Sequence, residues 1–329
     1  MPFSHHSHSG QFCGHAANTL EEVVQSALSK GMSTFCLTEH MPREAADFYP
    51  EEVDHHDEAS LAKLYDDFYV EARRLQKAYA SQIQLFVGFE GEWIRPGSLK
   101  LCQTILEKHD VDMFVGSVHH VHTVPIDFDT PMYHKARSLS NGTDEGIFAD
   151  YFESQYEMLQ ALKPPVVAHF DLIRLKSDDP ERSFKTWPQV WDKIERNLKY
   201  IAEYGGVLEL NSSSLRKGMT EPYPQVEICK VSISRTLRYL HVWKVLTLNQ
   251  RFIELNGRFT LSDDSHGVDQ VGLNFSRVLE SIKKAGIEEL VYLAPAGSPN
   301  SVAADERFPH VTWATISLKE LEAHRFWKS

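Results

Sequence analysis

The sequence alternates short apolar segments rich in β-forming residues with amphipathic helical segments over nearly its whole length. A capping box formed by Thr19 and Glu22 precedes apolar residues at helical spacing, which predicts a first helix at 20–28, and Gly31 suits its C-terminal end. Repeated strand and helix units are typical of a parallel sheet covered by helices. The pattern predicts an α/β fold, and it favours a closed barrel over an open sheet.

The same patterns place the other elements. Strands are predicted at 32–38, 83–89, 113–118, 166–168, 207–210 and 258–261, and helices at 61–80, 188–204 and 273–285. The segment 121–141 contains two prolines and is predicted to be a long loop over one face. No internal repeat or low-complexity linker divides the chain, so we expect one domain over residues 1–329.

Charge and cysteine content narrow the class of partner. The formal net charge of -12 disfavours a nucleic-acid-binding surface, because such a surface needs clustered Lys and Arg. The N-terminus lacks the pattern of a signal peptide, and no apolar run is long enough to cross a bilayer. Cys13, Cys36, Cys102 and Cys229 form no CxxC pair and are interpreted as ordinary thiols in a reducing compartment. We expect a cytoplasmic protein with a small-molecule substrate and no membrane partner.

Histidines and carboxylates mark the places where predicted strands end. In a parallel barrel, functional side chains collect at the C-terminal ends of the strands. The residues there that can bind metal are His6 and His8 near the N-terminus, Glu39, His40, Glu90, His119 and His169 after successive strands, and Asp264 and His266 after the last.

Among these residues, two pairs have the same spacing along the chain. His6 and His8 are two residues apart, so on an extended backbone both side chains point to one face, and Asp264 and His266 are expected to repeat that geometry. Taken singly, each histidine also fits a hydrogen-bonded core residue, the His5-to-His8 tract fits a disordered segment, and Asp264 fits a turn cap. Their recurrence at so many strand ends favours a metal site.

These residues resemble the motifs of the polymerase-and-histidinol-phosphatase (PHP) hydrolases over nearly the whole chain. The matching segments are His6-Ser7-His8-Ser9, Thr38-Glu39-His40, Gly88-Phe89-Glu90, Gly116-Ser117-Val118-His119, Ala168-His169-Phe170-Asp171, Glu209-Leu210-Asn211 and Ser262-Asp263-Asp264-Ser265-His266. The fourth of these segments, together with 124–127 and 211–216, resembles the histidinol-phosphate phosphatase branch of the family.

The resemblance implies a distorted (β/α)7 TIM-like barrel with its active site at the C-terminal ends of the strands. It also implies three divalent metal ions. The implied ligands are His6, His8, Glu90 and Asp264 for one ion, Glu90, His119 and His169 for a second, and His15, His40 and His266 for a third. Asp264 is preferred to its neighbour Asp263 because the Asp-x-His spacing matches the family. The implied activity is hydrolysis of histidinol phosphate to histidinol and phosphate, a step of histidine biosynthesis.

Such a ligand set has a predictable chemistry. Imidazole and carboxylate donors suit zinc, manganese or iron. The expected reaction is in-line attack of a metal-bound hydroxide on phosphorus, with Glu90 bridging two ions. Asp264 or His266 is expected to protonate the leaving alkoxide.

Other residues are expected to bind the substrate directly. Arg174 and Arg216 follow strand ends and are candidates for the phosphate, because a guanidinium binds phosphoryl oxygens with two parallel hydrogen bonds. Glu44 and Asp127 are candidates for the ammonium and imidazole of the substrate. Two alternatives stay open: a PHP phosphoesterase acting on nucleotides or another small phosphomonoester, and a non-catalytic metal-binding protein. The sequence does not indicate an oligomeric state.

Overall fold

The computed structural model describes residues 2–230, 233–234, 249–250 and 257–328. Its strands are β1 Phe3–Ser4, β2 Thr34–Leu37, β3 Gln84–Glu92, β4 Met113–Ser117, β5 His120–Val121, β6 Val124–Pro125, β7 Val166–Val167, β8 Val207–Asn211, β9 Ile233–Ser234, β10 Asn249–Gln250, β11 Arg258–Ser262, β12 Glu289–Pro295, β13 Ser301–Ala303 and β14 Val311–Ser317. Its α-helices are α1 Leu20–Ser29, α2 Pro50–Val53, α3 Glu58–Ala78, α4 Ser98–Lys108, α5 Thr130–Leu139, α6 Asp144–Leu162, α7 Pro188–Tyr204, α8 Ser213–Arg216, α9 Val226–Cys229, α10 Phe275–Ala285 and α11 Leu318–Ala323.

Seven parallel strands form the central sheet in the order β1-β2-β3-β4-β7-β8-β11. The last strand returns to the first: the N–H of His5 donates to the carbonyl of Leu261 at 3.2 Å, and a parallel bridge pairs Ser7 with Ser265. The sheet therefore nearly closes into a barrel, which confirms the predicted fold class. Parallel strands in such a barrel all present their C-terminal ends at one rim.

The helices form because each has one apolar face. In α7 the buried residues are Val190, Ile194, Asn197, Leu198 and Ile201, which recur every three to four positions and pack one side of the helix on the barrel. The predicted capping box of Thr19 and Glu22 is present at the start of α1, and caps of this kind stabilise a helix by about 1 kcal/mol. Strand β3 is buried on both faces from Leu85 onward, as expected for a barrel strand covered by helices.

A second sheet lies C-terminal to the barrel. Strands β12, β14 and β13 form an antiparallel sheet in that order, which the sequence analysis did not predict. The ring of Phe3 stacks on Tyr292 of β12 with centroids 5.4 Å apart, and the N–H of Leu293 donates to His5 Nε2 at 2.9 Å. The second sheet therefore packs directly against the first barrel strand.

Most of the predicted elements are confirmed, with ends that differ by a few residues. The helix predicted at 188–204 has those bounds, and the strand predicted at 83–89 continues to Glu92. The long loop predicted at 121–141 is wrong: β5 and β6 form a short antiparallel hairpin there, and α5 follows. Pro131 lies in the first turn of α5, where the missing N–H costs no hydrogen bond. Among the helices of the described residues, none is long and apolar enough to cross a bilayer.

Candidate metal centre and active site

A cavity of about 400 Å³ opens at the C-terminal rim of the barrel. Most of the predicted metal ligands line it or lie directly beneath it. The residues that line it are His15, His40, Tyr49, Glu51, Glu90, His119, Asp127, Phe128, His169, Leu172, Arg216, Lys217, Asp264, His266 and Gln270. His6 and His8 are buried at its floor, next to Glu90 and Asp264.

Glu90 lies at the centre of this cluster. It is 1% exposed, and its two carboxylate oxygens face different groups of histidines. Oε2 lies 3.3 Å from His6 Nε2 and 3.5 Å from His8 Nε2, while Oε1 lies 3.2 Å from His169 Nε2 and 3.4 Å from His119 Nε2. A carboxylate placed in this way can bridge two metal ions.

The first ligand set consists of His6, His8, Asp264 and Glu90 Oε2. Asp264 Oδ1 lies 3.8 Å from His6 Nε2 and 3.6 Å from His8 Nε2. Ligands at about 2.1 Å from a tetrahedral ion are about 3.4 Å apart, so these separations are close to those of a coordination shell. The set is buried and combines two imidazoles with two carboxylates.

The second ligand set consists of His119, His169 and Glu90 Oε1. The Nε2 atoms of the two histidines are 3.2 Å apart, and both lie near the same carboxylate oxygen. The strands explain this meeting, because Glu90 lies on β3, His119 follows β4 and His169 follows β7, and these three strands are neighbours in the sheet.

The third ligand set consists of His15, His40 and His266. Its ring centroids are 5.0 Å apart for His15 and His266 and 5.4 Å apart for His15 and His40. The ligand atoms of these three residues and of Cys13 all lie within 4.8 Å of one another. The sequence analysis assigned no chemistry to Cys13.

Carboxylates lie behind several of the ligand histidines. Glu39 Oε1 lies 2.9 Å from His8 Nδ1, Glu209 Oε1 lies 3.3 Å from His6 Nδ1, and Glu92 Oε1 lies 3.0 Å from His40 Nδ1. A carboxylate in this position fixes the ring and makes the opposite nitrogen a better metal donor. Sequence reasoning missed Glu92, although its position two residues after Glu90 on one strand places both side chains on the same face.

Burial and neighbouring charges shift the pKa values of the cluster, and they oppose each other at Glu90 and His6. Burial alone would raise the pKa of Glu90, but the neighbouring His6, His119 and His40 hold that pKa well below its ordinary value. Burial would lower the pKa of His6, but Glu90, Glu209 and Asp264 raise it well above its ordinary value. The pKa of His8 lies well below its ordinary value, because burial acts together with the charges of His40 and His6. The pKa of Glu90 is therefore lowered and that of His6 raised by their mutual attraction, whereas His8 is pushed toward its neutral form.

The donor set fits divalent metal ions. His6 Nε2, His8 Nε2 and His40 Nε2 are buried, and none has a hydrogen-bond partner among the described residues. Buried polar atoms without partners are costly in a protein interior, and these three point into clusters of further donors. Metal ions would satisfy these nitrogens and neutralise the buried carboxylates at the same time.

Asp264 reaches the cluster from a tight turn. Its φ is +49°, in the left-handed region, so the extended geometry predicted for Asp264 and His266 is wrong, although both side chains reach the cavity. Arg216 supports the turn by donating to the carbonyls of Asp263 at 2.9 Å and Asp264 at 2.8 Å. The rival Asp263 is turned away, because its carboxylate accepts hydrogen bonds from Ser4 Oγ and the N–H of Gly272.

Two of the four predicted substrate-binding residues lie in the cavity wall. Arg216 lies beside Asp264 and His266, and the adjacent Lys217 adds a second cation that sequence reasoning missed. Asp127 also lines the cavity, with Tyr49 and Phe128, whose ring centroids are 6.0 Å apart. The cavity wall therefore has a cationic part, Arg216 and Lys217, and an acidic and aromatic part, Asp127, Tyr49 and Phe128.

The other two predicted substrate-binding residues lie elsewhere. Glu44 is exposed, precedes a short 3-10 helix and does not line the cavity, so the structure gives it no contact with a ligand there. Arg174 is 1% exposed, and its guanidinium donates to Asp171 Oδ2 and to the carbonyls of Pro180, Glu221 and Pro222. Because its donors are occupied by the protein, the phosphate-binding role expected for Arg174 is wrong, and its role is structural.

Arg174→Gln is therefore expected to change stability rather than substrate binding. The substitution leaves the buried carboxylate of Asp171 without its cation, which typically costs about 3 kcal/mol of unfolding free energy. Urea denaturation measures this loss. Arg182→Gln is the matched control, because Arg182 is exposed and lies 3.9 Å from Asp179. The unfolding free energy of this variant is expected to stay within about 0.5 kcal/mol of the wild-type value. Unchanged stability in Arg174→Gln would contradict the structural role.

A parallel barrel with buried histidines and carboxylates at its C-terminal rim defines the class of metal-dependent barrel hydrolases. The sequence matches the PHP domain over residues 4–213. It is 42% identical over 292 residues to a probable histidinol-phosphatase of Schizosaccharomyces pombe, covering 88% of this chain and 89% of that protein. It is 34% identical over 339 residues to the histidinol-phosphatase of Saccharomyces cerevisiae, covering 93% of this chain and 96% of that protein. The chain belongs to the PHP family.

A solved structure shares the fold. The histidinol phosphate phosphatase of Lactococcus lactis, crystallised with zinc, L-histidinol and phosphate, superposes with a TM-score of 0.65 at 18% identity and covers 88% of this chain and 95% of that chain. At this identity the likeness establishes the barrel fold.

Proposed function

We propose that this chain is a histidinol-phosphatase, a metal-dependent phosphomonoesterase that converts L-histidinol phosphate to L-histidinol and phosphate. The observation that carries this proposal is the position of Glu90, whose two oxygens face separate ligand sets beside the cationic wall of Arg216. The relatives from two yeasts that align over nearly the full chain are named for the same activity.

The proposed cofactor is a group of three divalent ions, one for each ligand set. The relative from L. lactis was crystallised with zinc, and the mixture of imidazole and carboxylate donors here suits zinc, manganese or iron. When bound, such ions stabilise the phosphoryl oxygens as charge redistributes and lower the pKa of a water molecule.

The residues of the chain itself orient the phosphate. Arg216 donates to two carbonyls in the turn of Asp264 and also borders the cavity. It can therefore contact the phosphate while it supports the turn that carries Asp264. Lys217 adds positive charge beside it. We place the phosphate of the substrate between these cations and Glu90, which line the same cavity.

The acidic and aromatic part of the cavity wall suits the imidazole and ammonium groups of histidinol. Asp127 Oδ1 is buried and has no hydrogen-bond partner among the described residues, although a buried carboxylate oxygen ordinarily requires one. An ammonium or imidazole N–H of the substrate would donate the missing hydrogen bond to Asp127 Oδ1. Tyr49 and Phe128 add aromatic faces on which an imidazole can stack.

Asp127→Asn tests this orientation. The substitution removes the negative charge that faces the cationic end of the substrate, so KM for histidinol phosphate is expected to rise roughly tenfold with a smaller change in kcat. For a monoester without amine or imidazole, such as p-nitrophenyl phosphate, kcat/KM is expected to stay near the wild-type value. Steady-state kinetics with both substrates measure the difference.

Asp129→Asn is the matched control for Asp127→Asn. Asp129 lies two residues away and caps α5 by accepting from the N–H of Met132, a role that asparagine also fills, so wild-type kinetics are expected. An equal loss on both substrates in Asp127→Asn would mean that Asp127 supports the site as a whole and does not recognise histidinol.

A panel of phosphomonoesters tests the activity itself. We expect the highest kcat/KM for histidinol phosphate, with nucleoside monophosphates and simple alkyl phosphates far less efficient, because they lack a cationic partner for Asp127. Release of inorganic phosphate is the readout. A preference for a nucleotide would replace the proposed substrate. The cytoplasmic location and the absence of a nucleic-acid partner stay predictions.

A further inference from the structure

The third ligand set lies between two cavities. His15, His40 and His266 border the cavity of the active site, and a second cavity of about 370 Å³ lies behind His15 and His40. Cys13 lines this second cavity and does not line the first. An ion held by the three histidines would therefore lie next to Cys13 at the edge of the active-site cavity.

The geometry of Cys13 is that of a ligand. Its Sγ lies 3.3 Å from His15 Nε2, and the ligand atoms of Cys13, His15, His40 and His266 all lie within 4.8 Å of one another. Tetrahedral zinc with bonds of about 2.0–2.3 Å separates its ligand atoms by about 3.3–3.7 Å, so a small inward movement of these side chains completes the shell.

The local fold holds Cys13 in this position. The N–H groups of Phe12 and Cys13 both donate to the carbonyl of Ser9, at 3.0 and 2.9 Å, which closes a turn directly after the His6–His8 segment. Phe12 anchors the turn against Phe68 of α3, with centroids 5.7 Å apart. Cys13 itself is 6% exposed, so its thiol faces the histidine cluster and not bulk solvent.

We infer that the thiolate of Cys13 is the fourth protein ligand of the third ion, completing a set of one cysteine and three histidines that favours zinc over manganese. On binding, the thiol releases its proton to solvent and one metal–sulfur bond forms. Thiolate is a soft donor that selects zinc, whereas manganese prefers oxygen ligands. Four protein ligands are typical of structural zinc, which has no open position, so the third ion would hold its ligands in place while the first two ligand sets would serve the phosphate. This inference rests on the metal binding proposed above.

The alternative is an ordinary thiol that donates a hydrogen bond to His15 Nε2. Cobalt(II) distinguishes the two arrangements, because a cobalt–thiolate bond has a near-ultraviolet charge-transfer band that imidazole and carboxylate ligands lack. Protein stripped of metal and reconstituted with cobalt(II) is expected to show this band. Cys13→Ser is expected to lose it completely while keeping the visible absorption of cobalt in the other sites.

Cys102→Ala is the matched control. Cys102 is also buried, but its Sγ lies 3.5 Å from Met41 Sδ and it belongs to none of the ligand clusters among the described residues. The band is expected to persist in this variant. After dialysis against a weak chelator, Cys13→Ser is expected to retain roughly one zinc equivalent less per chain than Cys102→Ala.

X-ray absorption at the zinc edge tests the same bond in the unmodified protein, so the inference does not depend on the folding of a variant. A sulfur neighbour at about 2.3 Å is the expected result. A cobalt-loaded wild-type protein without the charge-transfer band, or a band that persists in Cys13→Ser, would overturn the inference. Either result would leave the phosphatase proposal intact, since activity and total metal are measured separately.

Discussion

Glu90→Gln is expected to lower kcat/KM for histidinol phosphate by roughly three orders of magnitude or more, equivalent to about 4 kcal/mol of transition-state stabilisation. The reason is that one carboxylate serves two ligand sets. Its Oε2 faces His6 and His8, and its Oε1 faces His119 and His169. Glutamine keeps the shape but loses the charge, and its amide nitrogen cannot coordinate a cation.

Metal content should fall together with turnover in Glu90→Gln. We expect elemental analysis to show a lower total metal content per chain, since the first and second ligand sets each lose their shared anion. Glu44→Gln is the matched control, because Glu44 is exposed and lies outside the cavity, and it should keep wild-type metal content and rate. A Glu90→Gln protein with full metal content and wild-type turnover would remove Glu90 from the site.

Arg216→Ala is expected to lower kcat/KM roughly a hundredfold, about 2.7 kcal/mol, with metal content nearly retained. Arg216 borders the cavity and is not a metal ligand, so its loss removes a phosphate contact while the histidines and carboxylates stay in place. Arg216 also donates to the carbonyls of Asp263 and Asp264. The turn keeps the hydrogen bond from the N–H of Ser265 to Asp263 Oδ1 and the bridge between Ser7 and Ser265, so Asp264 is expected to hold its position. Steady-state kinetics combined with elemental analysis separate a loss of phosphate binding from a loss of metal.

Arg216→Lys refines the prediction for Arg216. Lysine restores the positive charge without the planar group that holds two carbonyls and a phosphate, so we expect only a partial rescue. A complete rescue would mean that charge alone matters. Arg182→Ala, at an exposed position, provides the control with wild-type kinetics. Wild-type efficiency in Arg216→Ala would assign the phosphate contact to Lys217 or to the metals.

The clustering of the predicted metal ligands could be foreseen because it depends on topology. Parallel strands of one barrel end at the same rim, so histidines and carboxylates that follow successive strands must meet, whatever the details of the loops. His119 and His169 are far apart in sequence, yet their Nε2 atoms are 3.2 Å apart because β4 and β7 are neighbours. The fold class could be predicted because strand and helix patterns alternate along nearly the whole chain.

The roles of the two arginines could not be predicted, because they depend on contacts between distant segments. Arg174 and Arg216 both follow strand ends, and only the structure reveals that Glu221 and Pro222 occupy the donors of Arg174. The left-handed backbone conformation of Asp264 could not be predicted from the residue pattern either. The segment 121–141 was mispredicted because a proline in the first turn of a helix resembles a proline that breaks one.

The most direct test of the account is phosphate release from histidinol phosphate by one preparation in three states: as purified, stripped with a strong chelator, and reconstituted with zinc or manganese. We expect high activity in the purified protein, a loss of activity that parallels the loss of metal, and recovery on reconstitution. Histidinol should form in an amount equal to phosphate. Full activity in a preparation that elemental analysis finds free of metal would contradict it. Metal-loaded protein that is folded but releases no phosphate from histidinol phosphate would contradict it as well.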